Sequence, residues 1–328
     1  MIKNIFKKKE FSILAIIVAL SIVLTFLSPV FLTVGNFVDM AKGNAVFGIM
    51  ALGMLLVLIS GGIDLSVTAN VTLTSLVTGV LLMNTQLNMF IILIAAMIVG
   101  GIVGAINGLI ITKIKIPPMV ATLGTNSIIL GSVLFVTEGN MITGLPKWFQ
   151  DFGVMSFFNI GEFRVPVQVV FYILAALATY FLLRFTLLGR GIYAVGGSES
   201  SASRVGYNVD NVKIFIYAFC GVLVGLAGFI NTSIVQGVNP NTFIGIDMTI
   251  ISIAVIGGAS TLGGVGTVLG TVLGTVLMAS INNGLILARV PTFYQKIVMG
   301  AIILLAVTID VTNRKKEKAK LVRVDVEE

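Results

Sequence analysis

An all-α integral membrane protein with about ten transmembrane helices, some short or broken, is the fold class this sequence predicts, and three observations predict it. Of the 328 residues, 57% are hydrophobic and only 11% are charged, whereas soluble domains carry roughly 25% charged residues. The apolar residues fall in long runs separated by polar breaks, and in lipid such runs are helices because every backbone polar group must be satisfied within its own segment. The positive charge, a net +7, gathers at the chain ends and in the breaks rather than along one element, which suits membrane topology and not nucleic-acid binding.

Lys3, Lys7, Lys8 and Lys9 precede an apolar run over 11–31. A run of about 21 residues crosses a core of roughly 30 Å at ~1.5 Å per residue, and Leu27, Ser28 and Pro29 offer no small-residue cleavage site, so the run is read as a retained first helix. Further spans are expected near 45–60, 65–83, 89–112, 119–136, 167–185, 214–231, 247–258, 265–286 and 294–311. Ten crossings put both termini on one side. Lys113, Lys115, Arg184, Arg190, Arg204, Lys213 and the basic tail from Arg314 to Arg323 share that side, so the N- and C-termini are expected to be cytoplasmic. The organisation is then a basic segment over 1–10, a membrane domain over 11–311 and a charged tail over 312–328. Within the membrane domain, 137–166 is an outer loop and 186–213 a cytoplasmic one. Trp148, Phe149, Phe152, Phe157 and Phe158 in the outer loop read as interface anchors.

Composition also excludes chemistry. There is no histidine, hence no usual general base, proton relay or favoured metal ligand. Cys220 is the only cysteine and sits in an apolar run, where it reads as a small buried hydrophobe. No GxxxxGK[ST] phosphate loop occurs. The chain is therefore not expected to be an enzyme by itself, nor to hold a metal or cofactor.

Four places carry candidate function. Gly61-Gly62-Ile63-Asp64-Leu65-Ser66 puts a carboxylate between two short apolar segments. Asp64 or Ser66 caps the following helix, or the stretch is a broken helix lining a solute path, where a carboxylate accepts hydrogen bonds from hydroxyls. Next, the uncharged run from Met248 to Ala288 contains Gly257-Gly258-Ala259-Ser260-Thr261-Leu262-Gly263-Gly264, too much glycine for a continuous helix. Beyond it, Gly266, Gly270 and Gly274 share one helical face suited to close packing. A third feature is an echo between Ile106-Asn107-Gly108-Leu109 and Ile281-Asn282-Asn283-Gly284-Leu285, which would relate two antiparallel spans as an inverted repeat. Lastly, Ser198 to Val205 is expected to form a short helix with Ser198 as cap and Gly206 as its stop.

Five stretches occur in order: ISGGIDLSV (59–67), IPPMVATLGT (116–125), GRGIYAVGGSESSASRVGYNVDNVK (189–213), VIGGASTLGGVGTVLGT (255–271) and INNGL (281–285). With the spans around them, over about 45–311, they resemble the ribose-type branch of the bacterial ABC importer permeases. The resemblance implies a subunit in the bacterial inner membrane that forms the translocation pathway for a ribose-like monosaccharide or related small solute. Its implied partners are a cytoplasmic ATP-binding subunit that carries ATP and Mg, an extracytoplasmic sugar-binding protein, a second permease copy or paralogue, and lipid. It also implies that Gly196, Gly197, Ser198, Glu199, Ala202, Ser203, Arg204 and Gly206 form the coupling helix that docks on the ATPase. Ser198 and Ser201 depart from the asparagine and alanine usual there, and Arg204 falls one place late. Gly61, Gly62, Asp64, Ser66, Asn107, Gly257, Gly258, Asn282 and Asn283 are the residues expected at helix breaks or on the pathway. Asp247 resembles an acidic family position, either a helix cap or a contact with the binding protein. The alternative is an ion-coupled secondary transporter, which usually keeps ionisable groups within its spans.

Overall fold

A computed structural model describes residues 9–160, 163–302, 304–305, 308 and 312. Residues 1–8 of the basic segment, most of 303–311 and residues 313–328 of the tail lie outside the described residues. In chain order the helices are α1 (Lys9–Leu27), α2 (Val34–Ile59), α3 (Val67–Asn84), α4 (Met89–Leu109), α5 (Pro118–Thr137), α6 (Lys147–Val154), α7 (Val167–Phe185), α8 (Leu187–Gly197), α9 (Glu199–Arg204), α10 (Val209–Val235), α11 (Asp247–Ile256) and α12 (Val268–Leu287). A π-helical turn, Ile110–Ile114, extends α4. Residues 292–302 are also helical.

Among the described residues, eight helices are long and apolar enough to cross a membrane: α1 to α5, α7, α10 and α12. The ninth expected run is α11, whose 10 residues rise only about 15 Å, half a crossing. Of the tenth expected run, residues 294–302 are helical, and most of 303–311 lies outside the described residues. The second span starts earlier than its apolar run suggests. The run was read from 45, but α2 begins at Val34, where the Thr33 hydroxyl accepts the Asn36 N–H at 3.3 Å. Asp39 and Lys42 interrupted the pattern, yet a 26-residue helix is about 39 Å long. That exceeds the roughly 30 Å hydrocarbon core, so its first turns can carry charge outside the core.

Two helices form the centre. In their most apolar stretches α2 is 78% buried and α10 is 72% buried, against 17% for α1 and α5 at the periphery. The most extensive helix contact joins α4 to α10. Gly100, Gly104 and Gly108 recur on one face of α4, and a Cβ at Gly104 would run into the Tyr217 carbonyl of α10. One at Gly221 of α10 would strike the Gly100 carbonyl. Small residues let backbones touch where lipid supplies no hydrophobic drive for association. The predicted glycine stripe holds only in part: Gly270 and Gly274 on α12 lie against Ile253 of α11 and Gly257 just after it, whereas Gly266 precedes α12, outside the helix, and faces the side chains of Leu55 and Ile59.

The segment 137–166, expected to be an outer loop, differs from expectation in two ways. It contains α6 and two antiparallel strands, β1 (Ser156–Ile160) and β2 (Phe163–Pro166), whose short alternating pattern was masked by the apolar bias of the chain. And its aromatics divide. Trp148 and Phe157 are exposed, as interface anchors would be, but Phe149 and Phe152 are buried. Their rings pack 5.4 and 5.9 Å from Phe229 of α10, so they are core residues that pin this segment to the central helix.

Candidate functional site

The stretch between α2 and α3 is a broken helix. Residues 60–66 leave the helical path, and Gly61 turns at φ +82°, a left-handed conformation that costs glycine nothing. Asp64 is 3% exposed. Its Oδ1 accepts the backbone N–H of Ser66 at 2.8 Å and the Ser66 hydroxyl at 2.6 Å. Neither side chain caps α3 as expected: Ser66 occupies the cap position with its backbone already helical and makes no capping bond, and its oxygen accepts from the Asn107 amide instead. The carboxylate instead fixes the turn that enters α3.

From that turn a chain of hydrogen bonds runs outward. The Asn107 amide of α4 donates to Ser66 Oγ at 2.8 Å, and the Thr125 hydroxyl of α5 donates to Asn107 Oδ1 at 2.7 Å. Thr122, one turn earlier on α5, accepts the Leu65 N–H at 3.0 Å. In the first turn of α3, Thr68 donates its hydroxyl to Asp247 at the start of α11 and lies 3.4 Å from one end of the Asn126 amide on α5. Asp247 therefore does not cap α11, whose start has no side-chain cap. Four helices thus converge on one polar seam.

Asp64, Ser66, Asn107 and Asp247 were named from the sequence and come together here. Thr68, Thr122, Thr125 and Asn126 were not, although Thr122, Thr125 and Asn126 recur at the three- and four-residue spacing of one helical face. Asn282 and Asn283 lie elsewhere. Asn283 and Asn36 exchange amide hydrogen bonds at 2.7 and 3.1 Å, tying α12 to the first turn of α2, far along α2 from the break. Gly257 and Gly258 form the turn after α11, where Gly257 packs on α12, and neither joins the seam by a side chain.

A second junction lies beside the break. α8 and α9 are joined at Ser198, whose hydroxyl accepts the Ser201 N–H at 3.3 Å, and Gly206 closes the unit at φ +94°. α9 buries Ala202 and leaves Glu199, Ser203, Arg204 and Gly206 exposed. Glu199 pairs with Lys213 of α10 at 2.6 Å. Gly196, at the end of α8, seats directly on the Ile59 carbonyl, and a Cβ there would lie 2.8 Å from Gly264 N. That same carbonyl accepts the Gly264 N–H at 2.8 Å. The end of α2, the glycine-rich loop after α11 and the α8–α9 unit thus meet backbone to backbone, with Tyr193 of α8 also donating to the Gly266 carbonyl at 2.7 Å.

The role of Asp64 in the turn is measurable. Asp64→Ala strands two buried donors, the N–H and hydroxyl of Ser66, at a cost of about 1–3 kcal/mol for each unsatisfied group. Asp64→Asn keeps an acceptor at Oδ1. The alanine variant is expected to lose thermal stability in detergent while the asparagine variant stays near the parent, measured as the temperature at which monodisperse protein is lost on size exclusion.

Comparison with known proteins agrees with this architecture. A family model described as "Branched-chain amino acid transport system / permease component" matches residues 36–307. The ribose import permease protein RbsC of Escherichia coli K12 is 36% identical over 307 residues, covering 93% of this chain and 94% of that protein. RbsC of Bacillus subtilis 168 is 40% identical over 300 residues, 90% of each. The D-allose transport system permease protein AlsC of E. coli K12 is 36% identical over 305 residues, 93% of this chain and 91% of that one. No solved structure matches. Eight crossing helices and a permease family make this a multi-pass inner-membrane protein. A match over most of the chain, on a bundle of broken and half-length spans around a buried polar seam, shows that the chain belongs to the family of transport-system permease components.

Proposed function

We propose that the chain is the membrane-spanning subunit of an ATP-binding cassette importer, and that it conducts ribose or a similar monosaccharide handed over by an extracytoplasmic binding protein. The observation that carries the reading is the seat of Gly196 on Ile59: an exposed short helix held against the backbone of the break where the polar seam starts. Closure of an ATPase on α9 would press on the end of α2 and reset the packing of the helices, a two-state change biased by contacts at one end. ATP and Mg belong to that partner. A second copy of the chain, or a paralogue, would supply the other half of the path.

The orientation we propose is supported by charge and contact. Glu10 at the start of α1 accepts from Thr267 at 3.1 Å, which places the start of α1 beside the loop that holds Gly264. Lys113, Arg190 and Lys213 gather toward this same end, so it is assigned to the cytoplasm together with the N-terminus. The C-terminus follows to the same side if residues 292–302 begin a last crossing.

The test is co-purification. Tagged chain extracted in mild detergent is expected to bring an ATPase subunit with it, and the complex is expected to hydrolyse ATP faster when a sugar-loaded binding protein is added. A chain recovered alone, driving solute flux in liposomes under an ion gradient, would replace this reading with an ion-coupled transporter.

A further inference from the structure

We infer that Asp247, Thr68 and Asn126 form a polyol-binding subsite on the translocation path, an inference that rests on the importer reading above. The three residues come from α11, α3 and α5, and the Thr68 hydroxyl joins them: its single proton goes to one oxygen of Asp247, and one end of the Asn126 amide lies 3.4 Å away. The second Asp247 oxygen and the far end of the Asn126 amide make no hydrogen bond among the described residues. Thr68 is buried, whereas Asp247 and Asn126 are half-buried, so the unused groups lie at the rim. A carboxylate oxygen accepts from a hydroxyl, and either end of an amide bonds a hydroxyl, since O–H both donates and accepts. Adjacent hydroxyls on a sugar are the solute that uses both groups together.

The remaining residues of α5 separate water from lipid. Leu123, Ile128 and Phe135 are exposed and apolar, as on a face toward lipid or another apolar helix. Asn126 and Thr125 occupy the edge turned toward α3 and α4. An aspartate within a membrane protein faces the bundle interior or a water-filled cavity because its burial in lipid is costly. The half-exposed edge of Asp247 and Asn126 is thus wet. Behind it, Thr125, the residue before Asn126 on α5, starts the hydrogen-bonded chain through Asn107 and Ser66 to Asp64, so the rim lies beside the seam that leads to the break on which Gly196 sits.

The experiment uses the assembled transporter in liposomes, with radiolabelled D-ribose as the probe and ATP hydrolysis measured in parallel. Asn126→Leu and Thr68→Val are each expected to lower uptake about tenfold while hydrolysis stimulated by the loaded binding protein stays within about twofold of the parent, the loss of one or two hydrogen bonds to a solute. Uptake unchanged in both variants overturns the subsite, as does hydrolysis that falls in step with uptake. A second measurement does not depend on transport. Cys220 is fully buried, so Asn126→Cys adds one accessible thiol, which is expected to react with a charged, water-soluble thiol reagent while Ile128→Cys does not. An unreactive Asn126→Cys places the edge away from water and overturns the proposal. If the parent complex responds to ATP yet moves neither D-ribose nor D-allose, the sugar reading fails with it, and that failure is seen on the parent before any variant is made.

Discussion

Gly196→Val is expected to abolish transport, lowering uptake about 100-fold, while Gly197→Val leaves the chain's own packing untouched. A side chain at Gly196 has nowhere to go: its Cβ would fall on the Ile59 carbonyl and lie 2.8 Å from Gly264 N. Both neighbours are backbone, joined to each other by a 2.8 Å hydrogen bond, so neither can turn aside as a side-chain tip would. Forcing atoms into such a contact costs about 1–3 kcal/mol or more, and relief requires that α8 lift away from α2. Since 1.4 kcal/mol is about a factor of ten, a unit lifted off its seat accounts for a two-decade loss. The next glycine separates two explanations. A Cβ at Gly197 meets nothing within 4 Å among the described residues, so an effect of Gly197→Val points to a partner. The expected pair of results is an assembled but inactive complex for Gly196→Val and weaker recovery of the ATPase subunit for Gly197→Val, read by pull-down and uptake on the same membranes. Transport by Gly196→Val at the parent rate would mean that the contact with Ile59 transmits nothing.

The sequence was most legible where glycine and charge interrupt apolar runs. Gly61 and Gly62 marked the break after α2, and the glycines after Ile256 marked the end of α11, because neither stretch is material for a continuous membrane helix. The Ser198 cap and the Gly206 stop were readable for the same local reason. Legibility failed where the deciding contact was with another element. Asp39 and Lys42 broke the apolar pattern of a helix that runs on regardless, since its first turns extend past the membrane core. Phe149 and Phe152 carry the same letters as the exposed Phe157, and only Phe229 on a distant helix makes them core. Thr68, Thr125 and Asn126 were passed over because hydroxyls and amides are common in membrane helices, where they usually satisfy a carbonyl of the preceding turn, as Thr72 and Ser132 do. What distinguishes them is that they also reach between helices.

A graded series on α4 is expected to show the largest stability effect. At Gly101 an added Cβ meets the end of the Val222 side chain at 2.8 Å, whereas at Gly104 it runs into the carbonyl of Tyr217 with the Tyr217 carbonyl carbon at 2.7 Å and Ala218 Cα at 3.1 Å behind it. A single side-chain methyl can yield by a small shift, whereas two helix backbones in contact must move as whole helices. Gly101→Ala is therefore expected to be tolerated, and Gly104→Ala to cost upward of about 3 kcal/mol, the high end for overpacking. The measurement is the yield and thermal stability of monodisperse protein in detergent. The consequence reaches the seam as well as the fold. Asn107 lies one turn beyond Gly104 on the same helix, and the hydroxyl of Tyr217 stands where a Cβ on Gly62 would be, 2.5 Å away. Prying α10 from α4 displaces both, so Gly104→Ala in a background that still assembles is expected to lose uptake beyond what its reduced yield explains. Equal stability for the two alanine variants would show that α4 and α10 do not depend on backbone contact, and the close fit around the break would need another source.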